Sequence, residues 1–300
     1  MKKIFLTIIM LIISLIGGTI IGWSFSTVIT LGDLQIIRIE ITGSTTCEPI
    51  ITTCSEIFME INPNVDISVT GTGSGSGISD TISGLNDIGM SSREIKDSEN
   101  ETAGGNLIGY KFAKDGIAII ISANHPNATW LAINGLSMID LFSIYNGTFT
   151  HWNDINSSLV SETIDCYTRP DGSGTRATFE KLVINETGGE LGDSLAYQNA
   201  VTGYTLVSSN SLMVQGVADN EYGIGYCGLG YVDASVVVVP INDIAPSISA
   251  ILDGSYPISR ALYLVTNGPA KGWVQAFIDF IYGPYGQEVV AIEGFVRLWN

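Results

Sequence analysis

Three times in this chain an apolar strand breaks into glycines and hydroxyl residues and then resumes as a helix. The junctions are Ile41-Thr42-Gly43-Ser44-Thr45-Thr46, Val69-Thr70-Gly71-Thr72-Gly73-Ser74-Gly75-Ser76-Gly77, and Arg169-Pro170-Asp171-Gly172-Ser173-Gly174-Thr175-Arg176 ahead of the helical stretch Ala177 to Leu182. Each is rich in N–H and O–H donors and free of lysine. Glycine lets the backbone come close to a ligand, and a helix N-terminus adds unpaired donors with partial positive charge. One such turn reads as an ordinary cap. Three of the same design, one carrying a fork-shaped guanidinium at Arg169, point to a shared anion site. They also imply an α/β architecture, because strands such as Asp66 to Thr70, Ile117 to Ser122 and Val236 to Val239 alternate with helical stretches such as Ser137 to Tyr145 and Lys271 to Tyr282.

Nucleotide readings of these glycines fail. A P-loop needs a lysine after its second glycine, and neither glycine loop supplies it. A dinucleotide fingerprint needs Gly-x-Gly-x-x-Gly, but counting from Gly71 ends on Ser76 and from Gly73 on Ile78. The expected ligand is therefore a small free anion. A phosphatase or hydrolase would need a base or a metal to activate Ser74 or Ser173. The only histidines, His125 and His151, stand in no motif with serine and read as surface or loop residues, and no Cys-x-x-Cys or His cluster suggests zinc. The expectation is a binding protein without catalytic residues, cofactor or metal.

The three junctions resemble the phosphate-binding proteins of ABC-type phosphate importers. The same holds for Asp87-Ile88-Gly89-Met90-Ser91-Ser92-Arg93, Asp115-Gly116-Ile117-Ala118-Ile119-Ile120, Trp152-Asn153-Asp154-Ile155, Gly223-Ile224-Gly225-Tyr226 and Tyr256-Pro257-Ile258-Ser259-Arg260. The resemblance runs in order from about Ile41 to Phe295. It implies a two-lobed type II periplasmic-binding-protein fold, a "Venus flytrap" with a two-strand hinge, that clamps dehydrated phosphate and delivers it to membrane permease subunits. Residues 1–31 would form a signal peptide or membrane anchor, 32–114 with 257–300 a discontinuous first lobe, and 115–256 the second.

Carried over by motif, the resemblance implies phosphate ligands at Thr45, Thr46, Ser74, Arg169, Ser173, Gly174 and Thr175, with Asp171 orienting Arg169. Ser92 completes the set and departs from a pattern. Where some members have an acceptor aspartate, this chain has a serine followed by Arg93. An ionised carboxylate only accepts, so it rejects fully ionised sulfate; a hydroxyl donates or accepts. Sulfate, molybdate and tungstate stay open as alternative ligands, and a surface phosphate sensor without transport as an alternative role.

Charge and composition narrow the partners. A formal net charge of -17 argues against nucleic acid and anionic lipid surfaces. It does not argue against a buried anion site, because distant charge is screened over about 10 Å at moderate salt. The acidic surface is expected to slow encounter with an anion, a cost that salt lessens. Lys2 and Lys3 precede an apolar run from Ile4 to about Ile29, long enough to cross a bilayer and oriented to leave the body outside the cytoplasm. Both a cleaved signal peptide and an uncleaved anchor remain open. Cys47 and Cys54, on one helix, are too far apart to pair; Cys166 and Cys227 flank strands, as a disulfide or as buried thiols.

Overall fold

The computed structural model describes residues 36–185 and 204–299, so the N-terminal apolar segment, residues 1–31, lies outside the described residues. Among them no helix is long and apolar enough to cross a membrane. Nine strands form one mixed sheet: β1 (Ile37–Gly43), β2 (Val65–Gly71), β3 (Ile88–Ser91), β4 (Leu107–Ser122), β5 (Asp165–Thr168), β6 (Thr205–Leu206), β7 (Gly223–Gly228), β8 (Val236–Val239) and β9 (Ser259–Asn267). Their order is β2-β1-β3-β9-β4-β7-β5-β6, with β8 paired to β4.

Alternation builds the first half. In β1 the side chains of Ile39 and Ile41 are buried while Arg38 and Glu40 point away, and in β2 Val65 and Ile67 alternate with Asp66 and Ser68. β1 is parallel to both β2 and β3, and the helices that follow β1 and β2 supply the crossovers that parallel strands need. The helix Glu48–Ile61 starts with Pro49 in its first turn and buries Ile50, Ile51, Cys54 and Phe58 against the sheet. Phe58 meets Phe277 edge-on at 5.3 Å, which fastens the helix Gly272–Tyr282 to the same core.

β4 is the strand that joins the two halves. Its first part pairs antiparallel with β9, from Leu107 opposite Asn267 to Gly116 opposite Ser259. Its last part, Ile117 to Ser122, pairs with β7 and β8 instead. There every side chain is buried: Ile117, Ile119 and Ile121 enter one core, and Ala118 and Ile120 enter another on the opposite face with Met213 and Val217. A run without alternation is what a strand covered on both faces requires. The core under β1 draws on residues from Ile39 to Ala113 and from Leu262 to Phe295, whereas the core around Ile117 is built from Ile117 to Ile258 with Val296 added.

Boundaries differ from expectation where glycine is concerned. The helix expected to resume after the junction ending at Gly77 starts at Ser74 and runs to Ser83, so the glycine-serine loop is itself helical. Burial of Ser74, Gly77 and Ile78 offsets the poor helix propensity of glycine. His125 is not a surface residue: it is buried, its ring 4.4 Å from that of Trp152, and burial pushes its imidazole down to about 4.

All four cysteines are free and buried, so Cys166 and Cys227 form no disulfide. Burial pushes the thiols of Cys47, Cys54 and Cys166 up to about 12, and Cys227 shifts the same way. The folded chain is therefore expected to show no reaction with a thiol reagent at pH 8, and all four cysteines to react once it is denatured without reductant. Only two reactive thiols in denaturant would contradict this reading.

Candidate functional site

The three junctions meet at one place. β1 leads into Ser44, Thr45 and Thr46, β2 leads through Gly73 into the helix at Ser74, β3 ends at Ser91 ahead of Ser92, and β5 leads to Arg169 and the helix Gly174–Phe179. Gly73 holds φ near 98°, a region side chains avoid, so the chain can turn directly from strand to helix. Ser173 caps the second helix by accepting from Arg176 N at 3.3 Å. The N–H groups of Gly174 and Thr175 then stand in the first turn, where a helix offers no internal acceptor.

Of the residues expected to bind the anion, Thr45, Thr46, Ser74, Ser92, Arg169, Ser173, Gly174 and Thr175 are all buried. Contacts bridge the two halves of the molecule. Arg169 Nη2 donates to Thr45 Oγ1 at 3.1 Å, and the hydroxyls of Thr46 and Thr175 are 3.1 Å apart. Ser74 Oγ accepts from Ser92 N at 3.1 Å and lies 3.3 Å from Ser92 Oγ. Gly75 N donates to Gly172 O at 2.9 Å. Gly174 packs so closely here that a Cβ would collide with Ser74 Oγ and sit 2.5 Å from Ser92 Oγ.

Asp171 does not orient Arg169. Its carboxylate is 3.0 Å from Arg176 Nη1 and its side chain is 95% exposed, whereas Arg169 is 1% exposed. Arg176 lies on the helix that follows the turn, which carries its guanidinium back over Asp171 and beside Glu180 at 2.6 Å. The groups that hold Arg169 are Thr45 and the carbonyl of Ser208, which accepts from Nη2 at 2.7 Å. Arg169 Nε and Nη1 are buried with no hydrogen-bond partner among the described residues. Burial pulls the guanidinium down to about 10, which leaves it charged at neutral pH.

Three further residues belong to the cluster and were not anticipated. Asn210, fully buried, donates to Thr46 Oγ1 at 3.0 Å and Thr45 Oγ1 at 3.3 Å, and accepts from Gly228 N at 3.2 Å. Arg260 donates to Thr46 Oγ1 at 3.1 Å, and its Nη1 is a third buried guanidinium nitrogen without a partner. Asp115 takes Arg260 Nη2 at 2.7 Å and Nε at 3.0 Å, directly across the β4–β9 register. Arg260 stood in a motif quoted for the family likeness, Tyr256-Pro257-Ile258-Ser259-Arg260, but its spacing from Thr46 gives no local signal. Nothing in the run Ser208-Ser209-Asn210 marks a ligand-site amide.

The arrangement has a definite chemistry. Two buried guanidinium groups, one neutralised by Asp115, present unpaired N–H donors among six hydroxyls and the start of a helix. Such donors are costly to bury alone and are satisfied by an oxyanion that accepts from all sides.

Similarity to known proteins agrees with this architecture. The PBP superfamily domain matches residues 30–284. The phosphate-binding protein PstS of Staphylococcus saprophyticus is 32% identical over 271 residues, covering 85% of this chain and 79% of the relative. PstS of Bacillus subtilis is 30% identical over 258 residues, with the same coverage of 85% and 79%. Among solved structures, a Clostridium perfringens substrate-binding protein with bound phosphate superposes with a TM-score of 0.76 at 29% identity, over 87% of this chain and all of that one. An ABC-type phosphate transport receptor from Vibrio cholerae gives a TM-score of 0.67 at 26% identity, over 86% and 99%. With a fold, a length and a sequence shared across most of both chains, this protein belongs to the PBP superfamily and, within it, to the PstS family of phosphate-binding proteins.

Proposed function

We propose that the chain binds inorganic phosphate between two lobes, outside the cytoplasm, and hands it to the permease of an ABC importer. The observation that carries this reading is that Arg169 and Arg260, which donate through Nη2 to Thr45 Oγ1 and Thr46 Oγ1, keep Arg169 Nε, Arg169 Nη1 and Arg260 Nη1 buried without hydrogen-bond partners among the described residues. Phosphate replaces lost water by accepting from such donors, and each hydrogen bond to a charged group is worth about 1.5–3 kcal/mol. The ligand set is Thr45, Thr46, Ser74, Ser92, Arg169, Ser173, Gly174 and Thr175, extended by Arg260 and Asn210. Residues 32–114 with 257–300 make one lobe and 115–256 the other. The two strands that cross between them, β4 at Asp115 and β9 at Arg260, act as the hinge, a motion that parts Thr45 from Arg169 and Thr46 from Thr175. An apolar N-terminal segment exports or anchors the domain.

A binding role fits the histidines better than turnover does. His125 Nδ1 accepts from Asn127 N at 3.0 Å and His151 Nδ1 lies 2.9 Å from Thr150 Oγ1, so both rings are engaged locally rather than with Ser74 or Ser173.

The test is calorimetric titration of residues 33–300 with phosphate, sulfate and molybdate. Phosphate is expected to bind most tightly, and preference for sulfate or molybdate would reassign the ligand while keeping the fold. The Ser92→Asp variant sharpens the outcome. A carboxylate placed beside Ser74 repels an anion that has no proton to offer, so sulfate affinity is expected to fall by tenfold or more relative to phosphate. Equal losses for the two anions would remove position 92 from selectivity.

A further inference from the structure

Cations are scarce in this chain and unevenly placed. Five of its thirteen lysines and arginines, namely Arg93, Lys96, Lys111, Lys181 and Arg260, line one cavity of about 710 Å³. Arg93 to Asp97 form one wall, the helical segment with Ala177, Thr178 and Lys181 forms the other, and β9 with Lys111 closes the hinge side. The cavity abuts the anion cluster at three points. Arg93 follows Ser92 in the chain, Thr178 Oγ1 donates to Ser92 O at 3.4 Å, and Arg260 reaches Thr46 Oγ1 at 3.1 Å.

Acidic neighbours offset most of these cations. Glu99 holds Arg93 at 2.6 Å, Asp115 holds Arg260 at 2.7 Å, and Glu94 sits 3.9 Å from Lys181, a loose pair with both side chains exposed. Asp97 also lines the wall. Lys96 and Lys111 are exposed and make no ion pair among the described residues. The cavity is thus close to neutral or slightly positive in a molecule whose formal net charge is -17. Over the whole chain 30 aspartates and glutamates face 13 lysines and arginines, so a cavity lined by five cations is an exception to the general acidic balance. Field lines concentrate in clefts with low-dielectric walls, so even a small local excess of cations decides where a small anion arrives.

We propose that this cavity is the path by which the anion reaches the buried site, with Lys111 and Lys181 as steering cations that do not touch the bound ligand. This rests on the phosphate reading above. A steering charge acts on the association rate, leaves dissociation alone, and loses its effect when salt screens it within a few ångströms. It also offsets locally the repulsion expected from the acidic surface.

The test is stopped-flow association of inorganic phosphate with the full chain, comparing the parent, the double variant Lys111→Gln/Lys181→Gln, and Lys271→Gln. Lys271 is also exposed but lines a different cavity, with Asp87 and Gly268. The double variant is expected to associate roughly fivefold more slowly at 20 mM salt, with the difference gone by about 0.5 M and the dissociation rate unchanged. Lys271→Gln is expected to match the parent. Association at the parental rate, a loss confined to dissociation, or an equal loss in Lys271→Gln would each overturn the path. A parent that binds no phosphate removes both readings, whereas one that binds it with variants equally fast removes only the path.

Discussion

Arg169→Ala is expected to weaken phosphate binding by at least a hundredfold while leaving the fold as stable as before. Two buried nitrogens of this guanidinium have no partner among the described residues, and Nη2 already serves Thr45 and Ser208. Losing two charge-assisted bonds to the ligand costs about 3–6 kcal/mol, which is two orders of magnitude or more in affinity. Stability moves little because the folded protein gives up an incompletely satisfied buried charge, whose desolvation is a cost rather than a gain. Arg169→Lys is expected to recover only part of the loss, since a point charge cannot replace a planar fork with several fixed donors. Calorimetry on the three proteins, with thermal unfolding as control, separates these effects. Parental affinity in Arg169→Ala would take this residue out of the site, and a collapse of stability alongside binding would make its role structural.

The three junctions that meet at the candidate site were legible because they are local. A strand that breaks into glycine and hydroxyl residues before a helix exposes donors by its own geometry, whereas the single positions Thr45, Ser74 and Ser173 came from the family resemblance. The run from Ile117 to Ser122 likewise read as a strand, though its cover on both faces shows only in the fold. What escaped depends on packing across long sequence separations. Asp171 stands two residues from Arg169, yet it pairs with Arg176 because the helix starting at Gly174 brings that side chain back over the turn. Asn210 and Arg260 reach Thr46 across 164 and 214 positions, distances at which no spacing rule operates. His125 carries no sequence mark of burial either; only the fold sets it against Trp152.

Asp115→Ala is expected to be the most destabilising single change where β4 meets β9. Asp115 and Arg260 face one another where β4 and β9 cross between the two cores, with side chains 0% and 3% exposed. Asp115 also accepts from Leu229 N at 3.1 Å, so its removal strands a guanidinium and a backbone donor together. Breaking a buried pair by deleting one partner costs about 3–5 kcal/mol, a large share of the roughly 5–15 kcal/mol that keeps a typical domain folded. Chemical denaturation of the ligand-free protein is expected to show this loss as a lower midpoint. If unpaired charge is the cause, Asp115→Ala/Arg260→Met recovers most of it, because an apolar replacement leaves no buried ion to compensate. If the lost contacts of Asp115 are the cause, the double variant is no more stable than the single one. The same comparison separates stability from binding: Arg260→Met removes a donor to Thr46 and a buried nitrogen without a partner among the described residues, so the double variant is expected to fold well yet bind phosphate more weakly than the parent. Arg260 would then serve both fold and ligand, with Asp115 as the residue that makes its burial tolerable.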